Sequence, residues 1–446
     1  MMQFCLAFLT AGVSLTLVPP SPVTEQVTLD VRAGIRNHSA RPRVFDVSLF
    51  LDSNRRPLDR ASLEVPPASA QGVSFRWPAR GHAGRHKLTI KVKGLGYATR
   101  DIEIVASSRR STGVIGGAWV SLVLPNEREG AHFNTAMRGL NEHQWREVVR
   151  GIHELGMNTI VLEEAFRNEQ YHGRHSIERD GYHGLAFYPS RLFPGRAEIG
   201  CPDPIEAILS EADRLDMHTF VGVGMYAWFD FTPGSLAWHR NVASELWERY
   251  GRHPSFYGWY VSEEVCGDIA GCRSLTPAET ETYRMQIVDF FRGFKEHCRR
   301  LAPDKPVMLA PNSHFMMRAE STWRELMRRL DIVCPFGFHR QPEGDAQGEE
   351  VAAWLQKICD DAGAHLWMDL ETFIFEPGAN ALLPRPIEGL VSDLERFPNF
   401  EKILCFQYPG LMAAPWASVK PGGAAAVKLF EDYKRFLKTR TARPGF

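Results

Sequence analysis

The chain has 446 residues, with 52 Lys and Arg against 53 Asp and Glu and a net charge of −1. That length suits two domains, one of them large, and the 44% hydrophobic and 24% charged shares are globular values. The charge balance argues against a polyanionic partner such as nucleic acid, and no apolar run is long enough to span a bilayer.

The chain opens on an apolar stretch over 4–18, which reads in two ways. It resembles the apolar core of a signal peptide, although no Lys or Arg precedes it and no small-residue cleavage site follows. It also reads as a first β-strand, because 13–18 alternates. Residues 1–18 are therefore either a signal peptide or the start of a β-domain. The signal reading implies an extracytoplasmic location, periplasmic or secreted.

Up to about residue 107 the pattern is short alternating runs split by turn residues, at 27–33, 44–51, 86–92 and 99–105. Period-two alternation at this spacing predicts a small all-β, immunoglobulin-like sandwich over 19–107. No cluster of catalytic residue types falls in it, so it reads as an accessory module.

From residue 112 to 440 the pattern becomes strand, loop, helix, repeated. Eight near-continuous apolar runs are strand candidates: 117–123, 159–162, 219–224, 256–261, 307–310, 332–336, 365–370 and 403–406. Continuous apolar runs suit parallel strands covered by helices. The helices carry clear start signals. Asn141 is placed to cap a helix ending at Gly156. Asp203-Pro204 and Thr276-Pro277 open two more, each with a Glu in the first turn. Eight repeats over this length predict a (β/α)8 TIM barrel, and no Gly-rich phosphate loop follows the first strand to favour an open nucleotide-binding sheet.

Active sites of such barrels lie at the C-terminal strand ends. Read in that order, the strands end on Glu163 (second), Tyr226 and Trp228 (third), Glu263 and Glu264 (fourth), Asn312 and His314 (fifth), His339 (sixth), Glu371 (seventh) and Gln407 and Tyr408 (eighth). A lone carboxylate there is commonplace. Carboxylates on the second, fourth and seventh strands, interleaved with aromatic, amide and imidazole groups, form a pattern suited to sugars. Strands four and seven lie on opposite sides of the ring, so Glu371 can face a carboxylate of the fourth strand across the mouth. Glycosidic cleavage uses two opposed carboxyls, about 5–5.5 Å apart for retention and further apart for inversion. Neighbours on a strand face opposite ways, so the fourth-strand acid is either Glu263 or Glu264. Glu163, Tyr226, Trp228, Asn312, His314, His339, Gln407, Tyr408 and whichever of the Glu pair is not catalytic are the candidate substrate contacts. The aromatics read equally as core, the imidazoles as structural hydrogen-bonders, and Glu371 as a partner of His339 or Arg340. Trp119, Trp259 and Trp367 read as packing.

No Cys/His spacing suits zinc, and neither a metal nor a cofactor is implied. Cys266 and Cys272 flank a short loop and are candidates for a local disulfide in an exported protein.

Several segments together resemble a glycoside-hydrolase-like barrel family, domain of unknown function 4434. They are Gln144-Trp145, 156–161 (GMNTIV), 203–206 (DPIE) leading to 218–224 (HTFVGVG), 256–264 (FYGWYVSEE) and 367–371 (WMDLE). The resemblance covers roughly 113–438. It is similar in turn to retaining glycosidases with an acid/base after strand four and a nucleophile after strand seven. That implies Glu264 as acid/base and Glu371 as nucleophile. Many such enzymes carry Asn just before the acid/base, where this chain has Glu263.

Three functions compete: a glycoside hydrolase acting on an oligo- or polysaccharide, a non-catalytic glycan-binding barrel, and a metal-dependent barrel enzyme drawing on Glu163, Glu264, Glu371, His314 and His339. The partner implied is a carbohydrate.

Overall fold

The computed structural model describes residues 12–168, 184–193, 195–224, 229–271 and 275–441. The chain forms two compact units, Met1–Thr112 with Gly293–Pro306, and Gly113–Arg292 with Val307–Phe446.

The first unit is a β-sandwich. Val13–Val18, Thr28–Asn37 and Ser69–Pro78 make an antiparallel three-stranded sheet. The other sheet runs in the order Val23–Thr24, Gly96–Val105, Gly84–Val92, Arg43–Leu51, Asp59–Val65. The alternating apolar residues of both sheets meet in one core, with Leu15, Val31 and Phe75 from the first and Val47, Ile90 and Ile102 from the second. The alternation at 13–18 is thus that of a strand, with Val13 opposite Ile35. Gly293–Pro306, which the sequence reading places in the second domain, belongs to this unit. Its Asp304 accepts hydrogen bonds from Ser14 (2.8 Å) and Thr16 (2.7 Å).

The second unit is a closed barrel of eight parallel strands: Gly117–Val120, Thr159–Leu162, His218–Gly222, Phe256–Val261, Val307–Leu309, Ile332–Val333, His365–Glu371 and Lys402–Phe406. Each pairs with the next in chain order, and the eighth closes on the first, Leu404 opposite Gly117. All eight apolar runs of the sequence fall on these strands. A helix follows every strand, as the period of the pattern predicts. The expected caps form. The Asn141 side chain accepts from the Gln144 N–H while Gln144 reaches back to the Asn141 N–H, a reciprocal box opening Glu142–Glu154. Asp203 caps Pro204–Arg214, and Thr276 and Glu279 cap each other at the start of Pro277–Leu301.

Aromatic rings fill the barrel interior. Trp119 meets Tyr260 edge-on at 5.8 Å and Phe220 meets Trp367 at 5.7 Å. Trp119, Trp259 and Trp367 are all buried, as expected of packing residues. At the top of the third strand, Gly222 is required by close approach: a Cβ there would lie 2.1 Å from the Glu163 carbonyl oxygen.

Candidate active site

Side chains of a barrel strand alternate between interior and exterior. On the fourth strand and its extension, Tyr260, Ser262 and Glu264 share the interior face. On the seventh, Asp369, Glu371 and Phe373 do. All six line one cavity of about 250 Å³ at the C-terminal strand ends. Glu163, Asn312, Phe336, Arg340 and Phe406 complete its wall, with Leu124, Asn126 and Glu129 from the loop after the first strand. Glu264 and Glu371 are therefore brought to one cavity. Glu263, its backbone alternating the other way, is 1% exposed and is not part of the lining.

Glu371 is 2% exposed and held from two sides. Arg340 donates Nε to both carboxylate oxygens at 3.0 Å and Nη2 to Oε1 at 2.5 Å. His339 Nδ1 lies 3.2 Å from Oε2. Arg385 Nη1 donates to the Glu371 carbonyl at 3.3 Å and to Asp393 at 2.7 Å. Burial pushes the Glu371 carboxyl above its ordinary range, and the Arg340 fork pulls against that shift. The charge of Arg340 is felt by Glu264 as well as Glu371.

A carboxylate 3.2 Å from an imidazole ordinarily favours the charged ring. Here burial, followed by Arg385 and Arg340, holds His339 down at about 4. The geometry explains the outcome, because Arg340 already neutralises Glu371. His339 is neutral at pH 7 and lies beside Glu371 without a charge of its own.

The other carboxyls are set differently. Glu163 accepts from Ser121 Oγ, and burial raises its carboxyl. Asp369 is raised well above the ordinary range, first by burial and then by the nearby charges of Glu371 and Glu163. Its Oδ1 has no hydrogen-bond partner among the described residues. The site thus joins a guanidinium-clamped carboxylate, a half-buried carboxyl from the opposite strand and a buried acid whose proton is held more tightly than usual. Such a set can exchange protons and present one carboxylate as a nucleophile.

Several expected substrate contacts lie elsewhere. Tyr408 is 2% exposed and packs outside the barrel, its hydroxyl so close that a Cβ on Gly151 would meet it. Gln407 is fully buried, with Oε1 accepting from the Ser121 N–H at 3.1 Å. It supports the residue that holds Glu163, and neither it nor Tyr408 is part of the cavity lining. His314 is half-buried against Gly337, and burial lowers its imidazole; it is not part of the lining either. Asn312 is in the wall, its side chain accepting from the His314 N–H at 2.8 Å. Tyr226 and Trp228 lie outside the described residues. Sequence reasoning passed over Ser121, Tyr260, Asp369 and the cavity role of Arg340. Asp369 had a usable signal, being two residues before Glu371 on the same strand face.

Cys266 is disulfide-bonded, whereas Cys272, its expected partner, lies outside the described residues. Among the described residues, no group of three or more His, Cys, Asp or Glu is placed to hold a metal ion. No helix among them is long and apolar enough to cross a membrane.

Residues 115–419 match a protein family described as Domain of unknown function (DUF4434). Among solved structures, a candidate alpha-L-fucosidase from Bacteroides thetaiotaomicron VPI-5482 is similar at 17% identity and a TM-score of 0.52, over 73% of this chain and 93% of that one. Bacteroides uniformis beta-glucuronidase is 12% identical with a TM-score of 0.42, over 90% of this chain and 46% of that one. A beta-galacturonidase from Eisenbergiella tayi is 12% identical with a TM-score of 0.39, over 95% and 72%. The chain thus spans less than half of the beta-glucuronidase. At such identities the likeness is one of fold. None of the curated proteins matches the chain.

Proposed function

The chain belongs to the family described as Domain of unknown function (DUF4434), and from that premise we propose that it is a glycoside hydrolase cleaving an oligo- or polysaccharide with retention. In this reading the barrel is a TIM barrel of glycosidase type and the sandwich an immunoglobulin-like accessory module. One observation carries the proposal: Glu264 and Glu371, from opposite strands, line a single cavity at the C-terminal strand ends.

Glu371 acts as nucleophile. Arg340 favours its charged form against the cost of burial, and its fork fixes the carboxylate plane. Its carboxylate attacks the anomeric carbon while the protonated Glu264 gives its proton to the glycosidic oxygen. The bond to the leaving sugar breaks and a glycosyl ester forms on Glu371. Glu264, now a carboxylate, takes a proton from water, whose oxygen attacks the anomeric carbon and releases Glu371. Phe336, Phe373, Phe375 and Phe406 offer ring faces to the C–H surfaces of the sugar. Glu163 and Asn312 are the proposed wall contacts to hydroxyls. We place the protein outside the cytoplasm, a location supported by the disulfide at Cys266.

A second reading, a non-catalytic glycan-binding barrel, is favoured by one feature. Both Glu371 oxygens already accept hydrogen bonds from Arg340, and His339 Nδ1 lies 3.2 Å from one of them. A glycan screen with wild type, Glu264→Gln and Glu371→Gln separates the two. Turnover by wild type, lost in both variants while binding persists, supports the hydrolase. Binding without turnover by wild type supports the lectin-like barrel.

A further inference from the structure

We propose that the sugar unit held in this cavity carries no carboxylate and places a hydroxyl or ammonium donor against Asp369 Oδ1. The inference rests on reading the cavity as a sugar site and adds the chemical class of that sugar.

Asp369 is 4% exposed, lines the cavity floor, and its Oδ1 finds no hydrogen-bond partner among the described residues. A buried polar atom left unpaired is costly, and a ligand donor arriving there removes the cost. Among the described residues nothing supplies one. Ser121 is engaged with Glu163, and Tyr260 is set against Trp119. The position is built into the strand rather than into a loop, two residues before Glu371 on the same face. A donor reaching Asp369 would sit beneath the sugar carbon that faces Glu371.

Charge then limits what the sugar can carry. Arg340 is the only Lys or Arg among the described lining residues, against Glu129, Glu163, Glu264, Asp369 and Glu371. Its Nε and Nη2 are committed to Glu371. His339 is held neutral by burial and by its Arg neighbours. A uronate carboxylate would enter a wall of five carboxyls and one guanidinium, two of whose three nitrogens are already given to Glu371. The cavity of about 250 Å³ lies just under the roughly 300–1,000 Å³ of drug-sized ligand sites, which suits one sugar ring. The phenylalanine walls suit its C–H faces.

The test uses the full chain and configuration-matched sets: glucose, glucosamine and glucuronate; galactose, galactosamine and galacturonate; mannose, mannosamine and mannuronate. Affinities are titrated by ligand-observed NMR at neutral pH for wild type, Asp369→Asn and Asp369→Ala. In at least one set, the neutral or amino sugar should bind at least about tenfold more tightly than its uronate. Asp369→Ala should lose about tenfold or more of that affinity, and Asp369→Asn, which keeps an oxygen acceptor, less than about threefold. Uronates binding as tightly as their partners, no sugar binding in any set, or full affinity in Asp369→Ala would overturn the proposal. Should Asp369→Ala not fold, the wild-type panel and Asp369→Asn still decide it. Turnover dependent on Glu264 and Glu371 with a preference for uronates sinks this inference and leaves the hydrolase standing. Neutral-sugar preference without turnover does the reverse.

Discussion

Arg340 grips Glu371 through a planar fork, Nε at 3.0 Å from both carboxylate oxygens and Nη2 at 2.5 Å from one. The carboxylate is 2% exposed, whereas about a third of the Arg340 side chain meets solvent. The pair therefore joins a buried charge to one that reaches the cavity wall, where Glu264 also feels it. That relationship organises the site.

Arg340→Ala leaves the Glu371 charge buried without its partner. Breaking such a pair should cost about 1–3 kcal/mol of stability, the exposed side of Arg340 lowering the usual figure for a sealed pair. Burial then acts on Glu371 with less opposition, so its carboxyl rises further. The acid limb of the kcat/KM profile should move to higher pH by about one unit or more. Arg340→Lys keeps the charge and loses the fork, and should fall between. An unmoved acid limb in Arg340→Ala would mean that Glu371 does not set it.

His339 sits at about 4 instead of 6.5, because burial and then Arg385 and Arg340 oppose its charging. The folded state thus resists a proton that the unfolded chain accepts. Stability tied to this ring is intact above pH 6.5 and is lost as pH falls toward 4. His339→Gln keeps a polar side chain beside Glu371 and has nothing to titrate. Between pH 6.5 and 4 the variant should gain about 1–3 kcal/mol relative to wild type, seen in urea melts across that range.

His253 shows the opposite sign. Burial alone would lower it, yet Asp213 at 2.6 Å and Glu206 at 3.2 Å raise it to about 9. Its contribution is complete below pH 6.5 and fades as pH climbs through 9. His253→Gln should therefore be less stable than wild type by about 1–3 kcal/mol at pH 6, with the gap closing by pH 10. A gap that stays constant over that range would show that packing, not charge, is what the ring supplies.

Asn141 and Gln144 satisfy each other's backbone N–H at the start of Glu142–Glu154. Asn141→Ala should cost about 0.5–2 kcal/mol, measured as a lowered denaturation midpoint with an unchanged slope.

Turnover, once a substrate is in hand, should survive exhaustive EDTA treatment unchanged. Among the described residues the cavity carboxyls are not grouped as metal ligands. Loss of activity on chelation, restored by a divalent ion, would move the account to metal-assisted chemistry.

Much of this architecture is readable from pattern alone. The eight apolar runs mark the eight barrel strands, since a strand buried on both faces leaves no polar alternation to hide it. Asn141, Asp203 and Thr276 announce three helices because capping is local chemistry. What escapes is non-local. Whether Glu263 or Glu264 faces inward depends on how the strand continues past Val261. The sequence offers His339 and Arg340 alike as partners of Glu371, and only the fold closes the Arg340 fork on a residue 31 positions later. Tyr408 follows the eighth strand, yet it turns outward to pack beside Gly151. Ser69–Pro78 carries polar residues and Gly72 through a long strand, which blurs its period. The attachment of Gly293–Pro306 to the sandwich unit rests on Asp304 meeting Ser14 and Thr16, far away in sequence.

The most direct measurement is chemical. Wild type is treated with a panel of activated 2-fluoro glycosides or cyclitol aziridines, and the labelled peptide is mapped by mass spectrometry. The account predicts one covalent glycosyl adduct, on Glu371, with none in Glu371→Gln. An adduct on Asp369 or Glu163, or an active enzyme that inverts the anomeric centre and takes no label, would contradict it.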